Sequence, residues 1–310
     1  MTEKLKLSLS CGRYELTRAL VDGEVEAKGI EFSPLDDDRF RFYSLRRRNE
    51  ADVGEFSVTE YLRAREHGHR ILALPIYPHR RFRHGYYFVN VAAGIHDPSD
   101  LIGRRGGISG TMPAAGVWMR GILQDHHGVA LDAVDWRENP LEAMDAIDAP
   151  SAPHAVTEDT LLDGEVDVLI TPRIPGSFVR GDPRIVRLFP DHVERSIAYY
   201  KKTGIFPIMH VLTIREEIVE GRPWVAESIY AAFEEAKRIG YERAADPRLT
   251  PLAFFEAAWE EQRELLGPDP WEYGLSDANR RNLETIIRYT REQGRITREP
   301  PVSELFIELG

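Results

Sequence analysis

Alternation of apolar and polar positions is the clearest signal in the chain, and it is strongest from Phe206 to Arg215. Phe206, Ile208, His210, Leu212 and Ile214 share one register, and Pro207, Met209, Val211, Thr213 and Arg215 share the other. This period of two predicts a strand with His210 on an otherwise apolar face. The same reading predicts strands at Leu5 to Ser10, Ile30 to Leu35, Ala51 to Phe56, Ile71 to Ile76, Tyr86 to Val91 and Val166 to Ile170. Between them, period 3.6 predicts helices near Glu15 to Val21, Phe40 to Arg48, Ala114 to His126 and Thr157 to Leu162. Ser57 with Glu60 three residues on has the form of a capping box opening another helix. Three helical stretches, about Trp224 to Ile239, Pro251 to Leu266 and Ser276 to Gln293, close the chain. Strands alternating with helices imply a largely parallel sheet covered on both faces.

Length and charge then narrow the function. At 310 residues the chain is long enough for two lobes. A formal charge of −11 argues against nucleic acid or an anionic membrane as the main partner, so a small anion would need a local basic site. One cysteine, Cys11, excludes an intrachain disulfide. Only four residues separate Lys6 from Cys11, against the roughly 7–15 apolar residues of a secretion signal, which points to a cytoplasmic protein.

The basic site is visible at Pro78-His79-Arg80-Arg81-Phe82-Arg83-His84, which runs directly into the strand beginning near Tyr86. The segment Asp100 to Thr111, rich in glycine and hydroxyls, leads into the Ala114 helix without matching a nucleotide-binding fingerprint. His67 with His69, and His126 with His127, lack a carboxylate arrangement suited to a metal and read as surface histidines. Glu284 and Arg288 read as a helix i,i+4 pair, and Cys11 as a small buried residue, since no histidine lies near it in sequence.

These elements together resemble the type II periplasmic solute-binding fold, and within it the 4,5-dihydroxyphthalate decarboxylase branch. The resemblance spans nearly the whole chain. It rests on Ala51-Asp52-Val53-Gly54 with Ser57 and Tyr61-Leu62, Arg81-Phe82-Arg83-His84, and Asp100-Leu101 with Gly103-Arg104. It continues through Gly164-Glu165-Val166-Asp167, Arg173-Ile174-Pro175, Leu188-Phe189-Pro190, Tyr199-Tyr200 and Phe206-Pro207-Ile208-Met209-His210. The Arg-Phe-Arg-His and Phe-Pro-Ile-Met-His pieces are the narrow ones. One departure stands out: Gly85 follows His84, where serine is expected in relatives.

The resemblance implies an α/β fold of two lobes with an interlobe cleft and two hinge crossings. Residues 1–88 and 211–310, with the C-terminal helices, would form lobe 1, and 89–210 lobe 2. It implies a cofactor-independent decarboxylase of a hydroxylated aromatic acid such as 4,5-dihydroxyphthalate, yielding protocatechuate and CO2, with a homo-oligomer left open. Neither a metal-ligand cluster nor a nucleotide loop is visible in the sequence, so the site is expected to work without a metal or organic cofactor. The alternative is a solute-binding protein presenting a small anionic ligand, aromatic or not, to an ABC transporter. For the enzyme, His210 and His84 are the candidate acid and base, expected within reach of each other. Arg81, Arg83 and Arg173 suit a carboxylate, with Arg13, Ser57, Ser109 and Thr111 as further substrate contacts. Turnover is therefore expected to survive exhaustive chelation; loss on chelation with recovery on adding a divalent ion would contradict this.

Overall fold

The computed structural model describes residues 3–35, 51–108, 113–138 and 156–309. The sequence-predicted helix from Phe40 to Arg48 lies outside them. The chain forms two compact units: 1–80 with 208–284 and 300–310, and 81–207 with 285–299. The chain passes from the first unit to the second between Arg80 and Arg81, at the start of the Arg-Phe-Arg-His motif, and returns between Pro207 and Ile208, inside the Phe-Pro-Ile-Met-His motif, with a later excursion over residues 285–299.

In the first unit, β1 (Leu5–Ser10), β2 (Ile30–Pro34), β3 (Val53–Ser57), β4 (Ile71–Leu74) and a later strand from His210 to Arg215 make a sheet. In the second, β5 (Tyr87–Asn90), β6 (Arg105–Ile108), β7 (Asp135–Glu138), β8 (Val168–Ile170) and β9 (Ile185–Arg187) make another. The His210–Arg215 strand is β10. Strand orders are β2-β1-β3-β10-β4 and β7-β6-β8-β5-β9. The two orders superpose position by position. In each, one strand alone is antiparallel to both its neighbours, fourth in the order: β10 against β3 and β4, and β5 against β8 and β9. In each case that is the strand first reached after the chain enters the unit.

The inner strands of both sheets follow the composition expected of strands covered on two faces, whereas the outer strands β2, β7 and β9 are exposed or half-buried at most positions. Val53 to Ser57 and Val168 to Ile170 are buried at every position, and only Arg215 of β10 is partly exposed. This explains a difference from the sequence reading. Alternation from Phe206 does not mark an inside and an outside, because residues 205–214 are buried in both registers. Regular pairing also starts later, at His210, with Ile208 making one isolated bridge to Arg80.

The described helices are tied down by small residues and buried rings. The helix Pro223–Ala244 packs on Glu15–Val21 through Gly240, where a Cβ would stand 2.5 Å from the Glu15 carbonyl oxygen. The helix Pro113–His127 meets Tyr289 through Gly121, where a Cβ would stand 2.3 Å from the Tyr289 ring. The Tyr289 hydroxyl donates to Asp125 at 2.8 Å, and its ring meets Trp118 edge-on at 5.6 Å. These contacts account for the grouping of residues 285–299 with the second unit, whereas the sequence reading assigned all of 211–310 to the first lobe. Arg288 pairs with Asp125 at 2.5 Å and Glu292 at 2.9 Å instead of with Glu284. The capping box at Ser57 also does not form: the Ser57 hydroxyl meets Thr59 Oγ1 at 3.2 Å, and the Val58 N–H donates to the Met209 carbonyl at 3.0 Å.

Alanine at 240 gains about 1 kcal/mol of helix propensity but forces the two helix backbones apart, an overpacking cost of about 1–3 kcal/mol. Gly240→Ala is therefore expected to lower the urea midpoint of unfolding; a raised midpoint would show that the helices separate without penalty.

Candidate functional site

In the first unit the chemistry centres on Glu55, which has no exposed surface. Antiparallel pairing sets His210 opposite Ser57 and Leu212 opposite Glu55, so Glu55 and His210 are diagonal neighbours on one face of the sheet. His210, 2% exposed, directs Nδ1 to Glu55 Oε1. The same oxygen accepts the Tyr14 hydroxyl at 2.7 Å, while Oε2 accepts the Gly12 N–H at 2.9 Å and lies 3.7 Å from Cys11 Sγ. An ionised carboxylate only accepts, so His210 Nδ1 carries the hydrogen in this bond. The other ring nitrogen, Nε2, is buried with no hydrogen-bond partner.

Local sequence explains how these groups converge. Cys11 and Gly12 follow directly on β1, and a Cβ at Gly12 would stand 2.7 Å from the Tyr14 ring, so glycine clears the space that Tyr14 occupies. Tyr14 stacks on His79 with centroids 5.7 Å apart, and His79 meets the His210 ring edge-on at 5.0 Å. The His79 carbonyl accepts the Met209 N–H at 2.9 Å and the His210 N–H at 3.2 Å, fixing the start of β10. Behind it, the Ile208 N–H donates to Asn282, and buried Arg80 donates to Asn279 and the Glu272 carbonyl.

The second unit holds His84, also 2% exposed, among Phe189, Tyr199 and His127 at centroid distances of 5.9, 5.5 and 6.2 Å. Ser196 donates its hydroxyl hydrogen to the His192 carbonyl at 2.7 Å, which leaves His84 Nδ1 as the donor in its 3.2 Å bond to Ser196 Oγ. Burial, then the charges of His127 and Arg195, push His84 down to about 3, so its ring is neutral at physiological pH. His126 and His127 are not plain surface residues: His127 lies over Phe189 at 5.0 Å with a buried, unpartnered Nε2, and His126 meets Tyr199 at 5.0 Å. Gly85 has a local cause, since a Cβ there would stand 2.6 Å from the His192 ring, so a serine is incompatible with this His192 position.

The candidate arginines divide by burial. Arg83 is buried, donates to the Pro172 carbonyl at 3.5 Å and lies 5.3 Å from the Tyr86 ring centroid. Burial, then the Arg81 charge, lowers it to about 9, which leaves it cationic at neutral pH. Arg81 is exposed and donates to the Tyr86 hydroxyl at 2.9 Å. Arg173 is exposed, and Arg13 is exposed and paired with Asp22 at 3.2 Å. Ser57 is buried in register with His210, whereas Ser109 and Thr111 lie outside the described residues. His210 and His84 belong to different units.

Sequence reasoning missed Glu55 and Tyr14, and placed His79 only within the basic cluster. A charged residue inside the apolar strand from Ala51 to Phe56 was the available signal for Glu55. Cys11 is buried as expected, and Glu55, which lies 3.7 Å from its Sγ, connects it in space to His210. Among the described residues no group of three or more His, Cys, Asp or Glu could hold a metal ion, and no helix is long and apolar enough to cross a membrane.

Comparison with known proteins adds an independent line. No family model matches the chain. A 4,5-dihydroxyphthalate decarboxylase of Comamonas testosteroni is 32% identical over 319 residues, covering 98% of this chain and 96% of the relative. A second, from Pseudomonas putida, is 30% identical over 212 residues, 64% of this chain and 82% of its own. Among solved structures, the periplasmic aliphatic sulphonate binding protein SsuA from Escherichia coli aligns with TM-score 0.57 at 12% identity, over 99% of this chain and 98% of its own. The desulfurization enzyme DSZB aligns with TM-score 0.57 at 17% identity, over 98% and 96%. These two likenesses establish the shared α/β fold of periplasmic binding proteins.

The low proton affinity of His84 has a direct consequence for stability. In the unfolded chain it takes a proton near 6.5, and in the folded chain only near 3, so the unfolded state binds the extra proton between these values. The contribution of His84 to stability is complete above about pH 6.5 and is lost as the pH drops toward 3. His84→Gln is expected to flatten this decline by one proton's worth, about 1.4 kcal/mol per pH unit. Denaturant unfolding of both proteins between these limits measures it, and identical slopes would refute it.

Proposed function

Because the chain belongs to the 4,5-dihydroxyphthalate decarboxylase family, we propose that it removes CO2 from a hydroxylated aromatic acid of the phthalate type, with His210 moving the proton. The observation that carries this reading is the Glu55–His210 pair with Nε2 left over for another partner. In 4,5-dihydroxyphthalate each carboxylate has a ring hydroxyl para to it. Proton transfer from that hydroxyl to His210 Nε2 sends electron density toward the carbon bearing the carboxylate. Glu55 offsets the positive charge that then develops on the imidazole and keeps Nδ1 protonated throughout. Protonation of the ipso carbon, followed by cleavage of the carbon–carboxylate bond with its electron pair left on the ring, releases CO2 and restores aromaticity. One carboxylate and one proton become one C–H bond and one CO2.

His84 fits a different role, because a neutral imidazole with Nδ1–H committed to Ser196 offers a lone pair and no proton at Nε2. It suits acceptance of a hydrogen bond from a substrate hydroxyl. Arg83, cationic and buried, is the strongest candidate for a substrate carboxylate, with exposed Arg81 and Arg173 as weaker ones.

The test is direct incubation of purified protein with 4,5-dihydroxyphthalate and simpler hydroxybenzoates, following CO2 and the ring spectrum. His210→Asn and Glu55→Gln are expected to lower kcat by about 100-fold or more, the size of a lost proton-transfer group. Melting temperature on the same preparations separates chemistry from folding. Normal kcat in folded His210→Asn would end the assignment, and tight binding of the acid without CO2 release would favour a solute-binding role.

A further inference from the structure

Glu55 Oε1 receives two donors at once, and they come from opposite sides of the sheet's own sequence order: Tyr14 from the turn after β1, and His210 from the first position of β10. We propose that Tyr14 is a positioning residue that acts on His210 through this shared oxygen. The inference rests on the reading of His210 as the proton-transfer group and assigns a role to a side chain that does not itself touch that imidazole's reacting nitrogen.

A hydrogen bond to an oxygen anion withdraws charge from it, so a second donor on the same atom weakens the first. With Tyr14 in place, Oε1 divides its charge between a phenol and an imidazole, while Oε2 is committed to Gly12 N–H with Cys11 Sγ close by. Removing the phenol hydroxyl takes one donor away from Oε1, and the Nδ1–H···Oε1 bond strengthens. A tighter bond holds the imidazolium more firmly and makes return of its proton to the ring carbon harder. Tyr14 therefore tunes how readily His210 gives a proton up. His79, stacked on the Tyr14 ring and edge-on to His210, holds the phenol and the imidazole in their mutual orientation. The chain provides for the arrangement at Gly12, the position where any side chain would collide with the Tyr14 ring at 2.7 Å.

Two variants break the bond from different ends. Tyr14→Phe deletes the hydroxyl and keeps the ring that stacks on His79; Gly12→Ala keeps the hydroxyl and displaces the ring. The readout is the His210 Nδ1–H resonance in full-length protein labelled with 15N-histidine, assigned by its loss in His210→Asn. Both variants are expected to move that resonance downfield, the signature of a strengthened bond to the carboxylate, with the fold unchanged by circular dichroism. In wild type active on 4,5-dihydroxyphthalate, Tyr14→Phe is expected to lower kcat by about 2- to 12-fold, equivalent to one hydrogen bond, with KM little changed. A merely structural tyrosine would leave the resonance in place, whatever the change in melting temperature. An unmoved resonance in folded Tyr14→Phe overturns the proposal, as does unchanged kcat. Wild type that shows the shift on substitution but never releases CO2 supports the coupling and counts against the decarboxylase reading alone.

Discussion

A carboxylate with no exposed surface is tolerated only when donors fill its lone pairs, and Glu55 draws them from segments far apart in the chain. The turn after β1 supplies a backbone N–H and a phenol; β10 supplies an imidazole. The strand order β1-β3-β10 is the arrangement that brings these donors around β3. Loss of any donor would leave a buried acceptor short, a cost of about 1–3 kcal/mol. The same demand thus ties the sheet's topology to the orientation of the His210 ring, whose second nitrogen is left over.

The two buried histidines show how environment divides labour between identical side chains. His84 sits among aromatic rings beside other cationic groups, and its ring stays neutral far into the acid range. His210 faces a carboxylate directly. Both commit Nδ1–H to an oxygen, so both present Nε2 as the free end, one as a lasting acceptor and the other as a site where a transient positive charge is offset.

Much of this was legible in sequence, for physical reasons that can be stated. Reading for alternation and for buried apolar runs located β1, β2, β3, β4, β5, β8 and β10, because strands with several branched or aromatic residues announce themselves. It failed at β6, where Gly106 and Gly107 read as loop; both are glycine because Trp136 and Val156 lie where their side chains would be, at 2.3 and 2.7 Å. It failed too at the helix His192–Thr203, left unassigned between two motifs. His210 was visible as a histidine in an apolar strand, but its partner was not. Glu55 lies 155 residues away, and only antiparallel register makes the two diagonal neighbours.

The position of β10 bears on how the molecule is assembled as it is made. β3 and β4 are not bonded to each other; β10 lies between them, and its residues follow the whole stretch 81–207. A growing chain that has extended through residue 207 therefore carries two unsatisfied strand borders, and these are sticky toward any extended peptide. Loop closure over so long an insert costs little more than over a modest one, since the penalty grows only with the logarithm of length. The burden falls on timing: the second unit has its own sheet complete before the first can close, so the first waits with its central seam open until the segment bearing His210 is available to fill it.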